Sequence, residues 1–324
     1  MNLLITGGLG YIGSHLCVEL LKRYNNIVVL DNLSNSRLIT KKYIEKISKK
    51  KIRFIKNDLS NVVKISKILK QNKIDFVFHL AGLKSVKESF KKSYSYYKNN
   101  SFFTLNLLQA MHQSNVNQIL FSSSATVYSA KNKNPIKENG NLDTINPYGT
   151  SKLISEKLII DHSKFNNNFS YVILRYFNPI GHHVTGLLND DFSDDNLVPN
   201  LLKKLKNKKP FLIYGKNYRT KDKTAIRDYI HINDLISAHV LSLKKFLKHK
   251  NQIFNVGTGN GYSVLNVIKS FEKVLNKKVQ IKFTKRRKGD LEKIYCSSSK
   301  IKKRLKWKPL YSLTHMCKDS IRNI

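Results

Sequence analysis

Cysteine is scarce in this chain, and its placement excludes two classes at once. Cys17, Cys296 and Cys317 are an odd set without metal-ligand spacing. Neither a disulfide framework nor a thiolate metal site is expected of them, and a reducing cytoplasm suits them. Long apolar runs are missing too, and none approaches the length of a membrane span. No signal peptide is expected, because the first apolar strand starts almost at Met1. His182, His183 and His231 make no metal set and read as loop or packing residues. Internal repeats and long low-complexity linkers are likewise lacking. Acidic residues are the last shortage: 21 Asp and Glu stand against 59 Lys and Arg, a formal net charge of +38.

Such a charge suits a nucleic acid or a membrane surface. It also follows from compositional drift, since Lys, Asn and Ile crowd every segment, as an AT-rich genome would encourage. Basic residues are spread along the chain in short clusters only, such as Lys203-Lys204, Lys208-Lys209 and Lys285-Arg286-Arg287-Lys288. No recognised nucleic-acid module accompanies them. Drift is the reading favoured, with no specific nucleic acid and no membrane as partner. An anionic nucleotide gains from the field either way.

What is present is enough apolar material for a large core: 324 residues, of which 41% are hydrophobic, make one or two domains. The first half alternates strand and helix patterns. Strands are expected at Leu3–Thr6, Ile27–Leu30, Ile52–Ile55, Asp75–His79, Gln118–Ser122 and Tyr171–Arg175, with helices at Val62–Gln71, Tyr96–Gln113 and Tyr148–Phe165. That alternation predicts a parallel sheet with helices on both faces, whose ligands sit beyond the carboxyl ends of the strands. The second half is mixed. Helices are expected at Asn196–Lys206, Ile232–Phe246 and Ser263–Leu275, and strands at Phe211–Tyr214, Ile253–Val256 and Val279–Phe283. The expected division is a nucleotide-binding domain at 1–177 and a mainly substrate-binding domain at 178–324, with some segments returning to the large sheet.

Three motifs carry chemistry. The apolar run Leu3-Leu4-Ile5 enters Thr6-Gly7-Gly8-Leu9-Gly10-Tyr11-Ile12-Gly13, and a helical pattern follows. Gly8, Gly10 and Gly13 satisfy G-x-G-x-x-G, while Gly7, Gly10 and Gly13 give a wider G-x-x-G-x-x-G. Glycine lets the backbone turn tightly and approach a pyrophosphate that the helix N-terminus stabilises. A lone glycine motif could be only a turn. Here a second strand ends in Asp31, about twenty residues on, where a carboxylate accepts from ribose hydroxyls and disfavours a 2′-phosphate. NAD is therefore expected over NADP.

The third motif is Tyr148-Gly149-Thr150-Ser151-Lys152, with Ser122-Ser123-Ser124 upstream. A tyrosine four residues before a lysine shares its helix face, and the ammonium is expected to lower the phenol pKa. Phenol ordinarily titrates near pH ~10, so a base at neutral pH needs that help. By itself the pair could be a buried tyrosine beside a solvated lysine, and the serines could simply end a strand.

Together these residues resemble the extended short-chain dehydrogenase/reductases, nearest to the 4-epimerases of UDP sugars among them. The resemblance runs from Thr6-Gly7-Gly8 to Arg286-Arg287-Lys288-Gly289-Asp290. It is most specific at Asp31-Asn32-Leu33-Ser34-Asn35-Ser36, Ala81-Gly82-Leu83-Lys84, Ser122–Tyr128, Arg175-Tyr176-Phe177-Asn178-Pro179 and Arg227-Asp228-Tyr229-Ile230-His231. It implies an α/β fold, a Rossmann-type doubly wound parallel sheet with a smaller mixed α/β substrate-binding domain. It implies a redox-neutral cycle on tightly held NAD that converts UDP-galactose to UDP-glucose through a transient 4-keto sugar, in a cytoplasmic homodimer. Tyr148 would move the 4-hydroxyl proton, Lys152 would hold the nicotinamide ribose, and Ser124 would bond the reacting oxygen. For NAD the resemblance implies Gly7, Gly10, Tyr11, Ile12, Gly13, Asp31, Asn32, Asn35 and Ser36. Asp58 and Leu59 would meet adenine, and Leu80, Ala81, Gly82, Lys84, Asn99 and Phe177 would lie along the dinucleotide with Ser124, Tyr148 and Lys152. For the sugar nucleotide it implies Asn178, Asn196, Arg227, Arg287 and Asp290, together with Ser124 and Tyr148; arginine suits a diphosphate because its planar donors bind bidentately.

The chain departs from the family pattern at Ser129, where glycine is common, and at Ile294, near the expected hexose position. Dehydratase relatives carry an acid after the serine motif, whereas Ser124-Ala125-Thr126-Val127 has none, which argues against dehydration. The alternatives are 4-epimerisation of a UDP-N-acetylhexosamine or UDP-glucuronate, or a non-catalytic NAD- or polyanion-binding role.

Overall fold

The computed structural model describes residues 1–190, 196–246, 250–287 and 290–322; Lys288 and Gly289 of the Arg286–Asp290 run lie outside them. The described strands are β1 (Leu3–Thr6), β2 (Ile27–Asp31), β3 (Arg53–Lys56), β4 (Phe76–His79), β5 (Gln118–Ser124), β6 (Ser170–Tyr176), β7 (Asn178–Ile180), β8 (Phe211–Tyr214), β9 (Ile226–His231), β10 (Gln252–Val256), β11 (Gly261–Ser263), β12 (Ile281–Thr284) and β13 (Lys293–Ile294). The helices are α1 (Tyr11–Leu21), α2 (Ile39–Ser48), α3 (Val62–Gln71), α4 (Val86–Lys91), α5 (Ser93–Tyr96), α6 (Phe103–Gln113), α7 (Pro147–Phe165), α8 (Leu197–Lys206), α9 (Ile232–Lys244), α10 (Val264–Leu275), α11 (Ser299–Leu305) and α12 (Leu313–Ser320). A π-helical stretch at Tyr97–Phe102 leads into α6, and a 3₁₀ turn at Ala125–Val127 follows β5.

Seven strands form the main sheet in the order β10-β6-β5-β4-β1-β2-β3. β1 pairs in parallel with both β2 and β4, and β2 with β3 and β4 with β5 likewise. Successive strands thus run outward to one side of β1 and then to the other, so the topological switch lies between β1 and β4. Crevices for ligands form at that point, beyond the strands' carboxyl ends. Thr6 is in register with Leu30 and with His79, which sets the glycine turn, Asp31 and Leu80–Gly82 side by side. Strands buried on both faces need continuous apolar runs, and Leu3-Leu4-Ile5, Ile27–Leu30 and Phe76-Val77-Phe78 are fully buried. One core joins Leu4, Val28, Val77, Ile119 and Ile173 to Leu107, Met111 and Ile159 of the covering helices. Each such side chain contributes about 1.5–3 kcal/mol by leaving water.

This first unit comprises Met1–Val127, Thr144–Arg175 and Ile236–Phe254; the second comprises Tyr128–Asp143, Tyr176–Leu235 and Asn255–Ile324. The chain therefore passes between units several times, where the sequence suggests a main division at 177/178. Tyr128–Asp143 joins the second unit because the Tyr128 hydroxyl donates to Asn255 at 2.6 Å, and Ile136 exchanges backbone hydrogen bonds with Tyr295 and Ser297. Ile236–Phe254 joins the first because Phe246 packs edge-on against Phe76, with ring centres 4.9 Å apart.

The second unit holds β11-β9-β13 with β7 also paired to β9, and a separate parallel pair of β12 and β8. Val198, Leu201, Ile213, Tyr229, Val267, Phe271 and Met316 make its core. The β9 motif Arg227–His231 is here a strand in the middle of that sheet. One expected helix differs in kind: Tyr96–Gln113 is not uniform, since its first turns are π-helical. The wider turn accompanies an inward-facing Asn100, 2% exposed, whose side chain has work to do below.

Candidate active site

The glycine turn is built by close backbone approach. Gly7 has φ +70° and donates to Leu30 O at 2.8 Å; Gly10 donates to Gly7 O at 3.1 Å and starts α1. A Cβ on Gly13 would lie 2.3 Å from Gly7 O, and one on Gly7 would lie 2.8 Å from the Ala81 backbone. Any side chain would fill this cradle, which is why the positions are glycine. Asp31 is held firmly: its carboxylate accepts from Leu9 N at 3.0 Å, Leu33 N at 2.9 Å and Ser36 Oγ at 2.8 Å. The residue expected to meet the ribose thus also ties the glycine turn to the 32–36 loop, a duty the sequence did not disclose. Asn32 accepts from Ser34 N in the same loop.

Asp58 accepts from the Ser60 side chain and backbone, and those bonds hold its carboxyl below the usual range. Leu59 beside it is buried, its carbonyl accepting from Asn106. Asn99 donates to Ser95 O at 2.8 Å, and Lys84 is exposed. Its neighbour Asn100, not singled out from sequence, accepts from Leu83 N at 2.8 Å and donates to Leu83 O at 3.0 Å and to Ser151 Oγ at 2.9 Å. Asn100 therefore fixes the 81–84 loop to α7. His79 does similar work at the end of β4, bonding Thr6 Oγ1 at 2.8 Å and Thr104 Oγ1 at 2.9 Å; burial drives its pKa down to about 3 and keeps it neutral.

The Ser–Tyr–Lys set forms where β5 ends and α7 begins. Asn146 caps α7 by accepting from Gly149 N at 2.8 Å, and Pro147 occupies the first turn, where its missing N–H costs nothing. A Cβ on Gly149 would lie 2.5 Å from Thr126 O, so glycine lets that first turn press against the end of β5. Tyr96 stands edge-on to Tyr148, ring centres 6.3 Å apart. Lys152 is 4% exposed, donates to Ser122 O at 2.8 Å and lies 4.8 Å from the Phe121 ring centre. Burial pulls its pKa down to about 8, against the opposing pull of Glu156.

One electrostatic expectation changes. Burial raises the Tyr148 phenol, and the Ser124 side chain opposes that rise; Lys152 donates to the Ser122 carbonyl instead. The lysine's own surroundings were also invisible in the motif. One turn further along α7, Glu156 accepts from Arg175 Nε at 2.9 Å, from Arg175 Nη2 at 2.6 Å and from Ser123 Oγ. Both ions are essentially excluded from solvent. The four-residue spacing from Lys152 to Glu156 was the available signal.

In the second unit, Arg227 pairs with Asp290, which also accepts from Tyr218 OH at 2.8 Å. The Arg286 guanidinium lies 3.9 Å from the Tyr218 ring centre, and that of Arg287 lies 4.0 Å from Tyr214. Tyr214 and Tyr218 were not picked out from sequence. Asp228 beneath is fully buried, accepting from Thr258 N and Oγ1, Gly259 N and Cys296 N, and so anchors the strand that carries Arg227. Asn178 lies in register with Tyr229, and Asn196 stands at the N-cap position of α8, where its side chain donates to Asp190 rather than capping the helix; neither joins the Arg227–Asp290–Tyr218 cluster. Phe177 is buried and donates its N–H to Val256 O. Among the described residues no group of three or more His, Cys, Asp or Glu could hold a metal ion, and no helix is long and apolar enough to cross a membrane.

A parallel sheet with its switch at a glycine turn, an acid at the end of β2 and a Ser–Tyr–Lys set define an enzyme that works on a bound dinucleotide. The family model for the NAD dependent epimerase/dehydratase family matches residues 3–257. The chain belongs to that family, and NAD is its cofactor. It is 42% identical over 326 residues to the UDP-glucose 4-epimerase of Bacillus subtilis (strain 168), covering 99% of this chain and 96% of that one. Among solved structures, UDP-glucose-4-epimerase from Stenotrophomonas maltophila with bound NAD and formylated UDP-arabinopyranose superposes with a TM-score of 0.96 at 36% identity, covering 99% of this chain and 97% of that chain. The UDP-glucose 4-epimerase from Bifidobacterium longum in complex with NAD+ and UDP gives 0.94 at 39% identity, with 99% and 97% covered.

Proposed function

We propose that this chain interconverts UDP-galactose and UDP-glucose by NAD-dependent 4-epimerisation. The observation that carries the reading is the Ser–Tyr–Lys set where β5 meets α7, with Lys152 one turn beyond Tyr148 and anchored on Ser122 O at 2.8 Å, together with a glycine cradle that no side chain could share. NAD, when bound, supplies a reversible two-electron acceptor for the sugar carbon. Gly7, Gly10, Gly13 and Asp31 would hold it, with Asp58, Ala81, Gly82, Lys84 and Asn99 along its length.

Tyr148 takes the 4-hydroxyl proton and later returns it to the opposite epimer. Ser124 donates to the oxygen that carries the charge, first on the tyrosine and then on the sugar. Lys152, protonated below about pH 8, supplies a buried positive charge next to that exchange. Arg227 and Arg287 are suited to the diphosphate, and Asp290 to ribose hydroxyls. Sugar rotation between the two half-reactions requires that the UDP end be gripped more firmly than the hexose, and bidentate guanidinium donors suit that grip.

A homodimer is part of the proposal. Phe102 and Leu105 are exposed on successive turns leading through α6, and Phe165 is exposed at the end of α7. Covering these apolar side chains with a second copy would bury them. The three free, buried cysteines support a cytoplasmic setting.

The test is to incubate purified protein with UDP-galactose and no added NAD, and to follow UDP-glucose. Conversion, nearly abolished by Tyr148→Phe with NAD still bound, is the expected result. No conversion with NAD added, but turnover of UDP-N-acetylgalactosamine or UDP-glucuronate, would overturn the choice of sugar.

A further inference from the structure

The Asp290 carboxylate is held from two sides, and the way it is held leaves a particular pattern of acceptors. An ionised carboxylate offers about four lone-pair positions. The protein engages one on each oxygen: Tyr218 OH donates to Oδ2 at 2.8 Å, and Arg227 Nη2 donates to Oδ1. One position on each oxygen remains for a ligand, which is what a vicinal diol needs. The carboxylate is 25% exposed, so a ligand can reach it. Both donors are themselves fixed. Arg227 Nη1 donates to Ile226 O at 2.8 Å. Tyr218 is 2% exposed, and its N–H donates to Lys223 O at 3.2 Å. Gly215, at φ +86°, lies so close that a Cβ there would come within 2.5 Å of the Tyr218 ring. The Arg286 guanidinium lies over the ring at 3.9 Å, steered by donation from Nε to Asn217 Oδ1 at 2.8 Å. Burial and the Asp290 charge push the Tyr218 phenol up to about 12, so it keeps its proton and stays a donor.

We propose that Tyr218 is a positioning residue for the nucleotide: it locks the Asp290 carboxylate in the plane that accepts both ribose hydroxyls, and so makes the site select a ribonucleotide over its 2′-deoxy counterpart. The proposal rests on reading Arg227, Arg287 and Asp290 as the UDP-binding group. Its physical content is rotational. The terminal torsion of an aspartate is broad, and a carboxylate held by one oxygen turns about that contact. A second donor on the other oxygen fixes the plane. Tyr218 and Asp290 stand 72 residues apart, so no motif spacing announces the partnership.

The experiment is calorimetric titration of UDP and of 2′-deoxy-UDP into the purified, NAD-bound enzyme. The native protein should prefer UDP by about tenfold or more, the scale of one hydrogen bond to a charged group. Tyr218→Phe keeps the ring beneath Arg286 and removes only the donor. It should shrink that preference by about three- to tenfold, chiefly through weaker UDP binding. KM for UDP-galactose should rise by a similar factor with kcat kept, the mark of binding shared by ground and transition states. Asp290→Ala should lose the preference, and adding Tyr218→Phe to it should change nothing further, because Tyr218 acts through that carboxylate. An undiminished preference in Tyr218→Phe would overturn the proposal and leave the UDP reading standing, as would a further loss in the Asp290→Ala background. A native enzyme that binds no UDP would overturn both.

Discussion

Replacing Glu156 with glutamine should be among the most damaging single-atom changes available in the first unit. The side chain keeps its shape, but the Arg175 guanidinium loses the carboxylate that meets it through two nitrogens at 2.9 and 2.6 Å. The two side chains are 2% and 1% exposed, so water cannot take over. Breaking a buried ion pair by removing one partner costs about 3–5 kcal/mol. For a unit of this size each kcal/mol lowers Tm by about 2–4 °C, so the expected drop is about 6–20 °C. Differential scanning calorimetry on the cofactor-bound enzyme measures it. The paired change Glu156→Leu with Arg175→Met should recover most of the loss, because a buried pair replaced by well-packed apolar groups is often neutral. A drop of under ~2 °C in the single variant would refute the reasoning, since it lies below the smallest expected shift. So would a double variant as unstable as the single one. Activity gives an independent reading. Glu156 is the charge that opposes the burial of Lys152 and holds it at about 8. Without that charge the lysine loses its proton at lower pH, so the alkaline fall in kcat should begin earlier, while rates well below pH 7 converge.

Two further outcomes follow from the nucleotide cradle. Gly13→Ala places a Cβ 2.3 Å from Gly7 O and 2.7 Å from Gly8 Cα, both backbone atoms that cannot swing aside. NAD carried through gel filtration should fall at least tenfold, about 1.4 kcal/mol of binding; native-like retention would contradict the close-approach role of this turn. His79 is kept neutral by burial, with its pKa lowered from 6.5 to about 3. The unfolded chain therefore binds a proton that the folded one refuses, and stability should decline as pH falls through the window from about 6.5 to 3, by roughly 1.4 kcal/mol per pH unit. Urea unfolding at two pH values in this window, in native protein and in His79→Asn, isolates the contribution; an identical slope in both would remove His79 as its source.

Much of the fold was legible because its strands are buried on both faces. Runs such as Leu3–Ile5 and Phe76–Phe78 have no other explanation in a chain this polar, and periodicity placed the helices between them. The cofactor turn was legible for a related reason: glycine is required wherever a Cβ would strike backbone, so the requirement is written directly into the letters. Boundaries were less so, since Tyr128–Asp143 belongs to the second unit through bonds to Asn255, Tyr295 and Ser297 that lie far away in sequence.

By itself the sequence determined which groups are available: the cradle glycines, Asp31, Ser124, Tyr148 and Lys152, all set by local spacing or by a residue type that admits no substitute. Tertiary structure alone decided how those groups are charged and which way their protons point. Burial, not the neighbouring lysine, sets the direction of the Tyr148 shift, and Ser124 opposes it. Lys152 is anchored on the Ser122 carbonyl with Glu156 behind it. The pair Glu156–Arg175, with Ser123 donating to the same carboxylate, arises only once β5, β6 and α7 are packed together. Hydrogen-bond direction and desolvation depend on what surrounds an atom in space, and a linear motif carries its neighbours in sequence only.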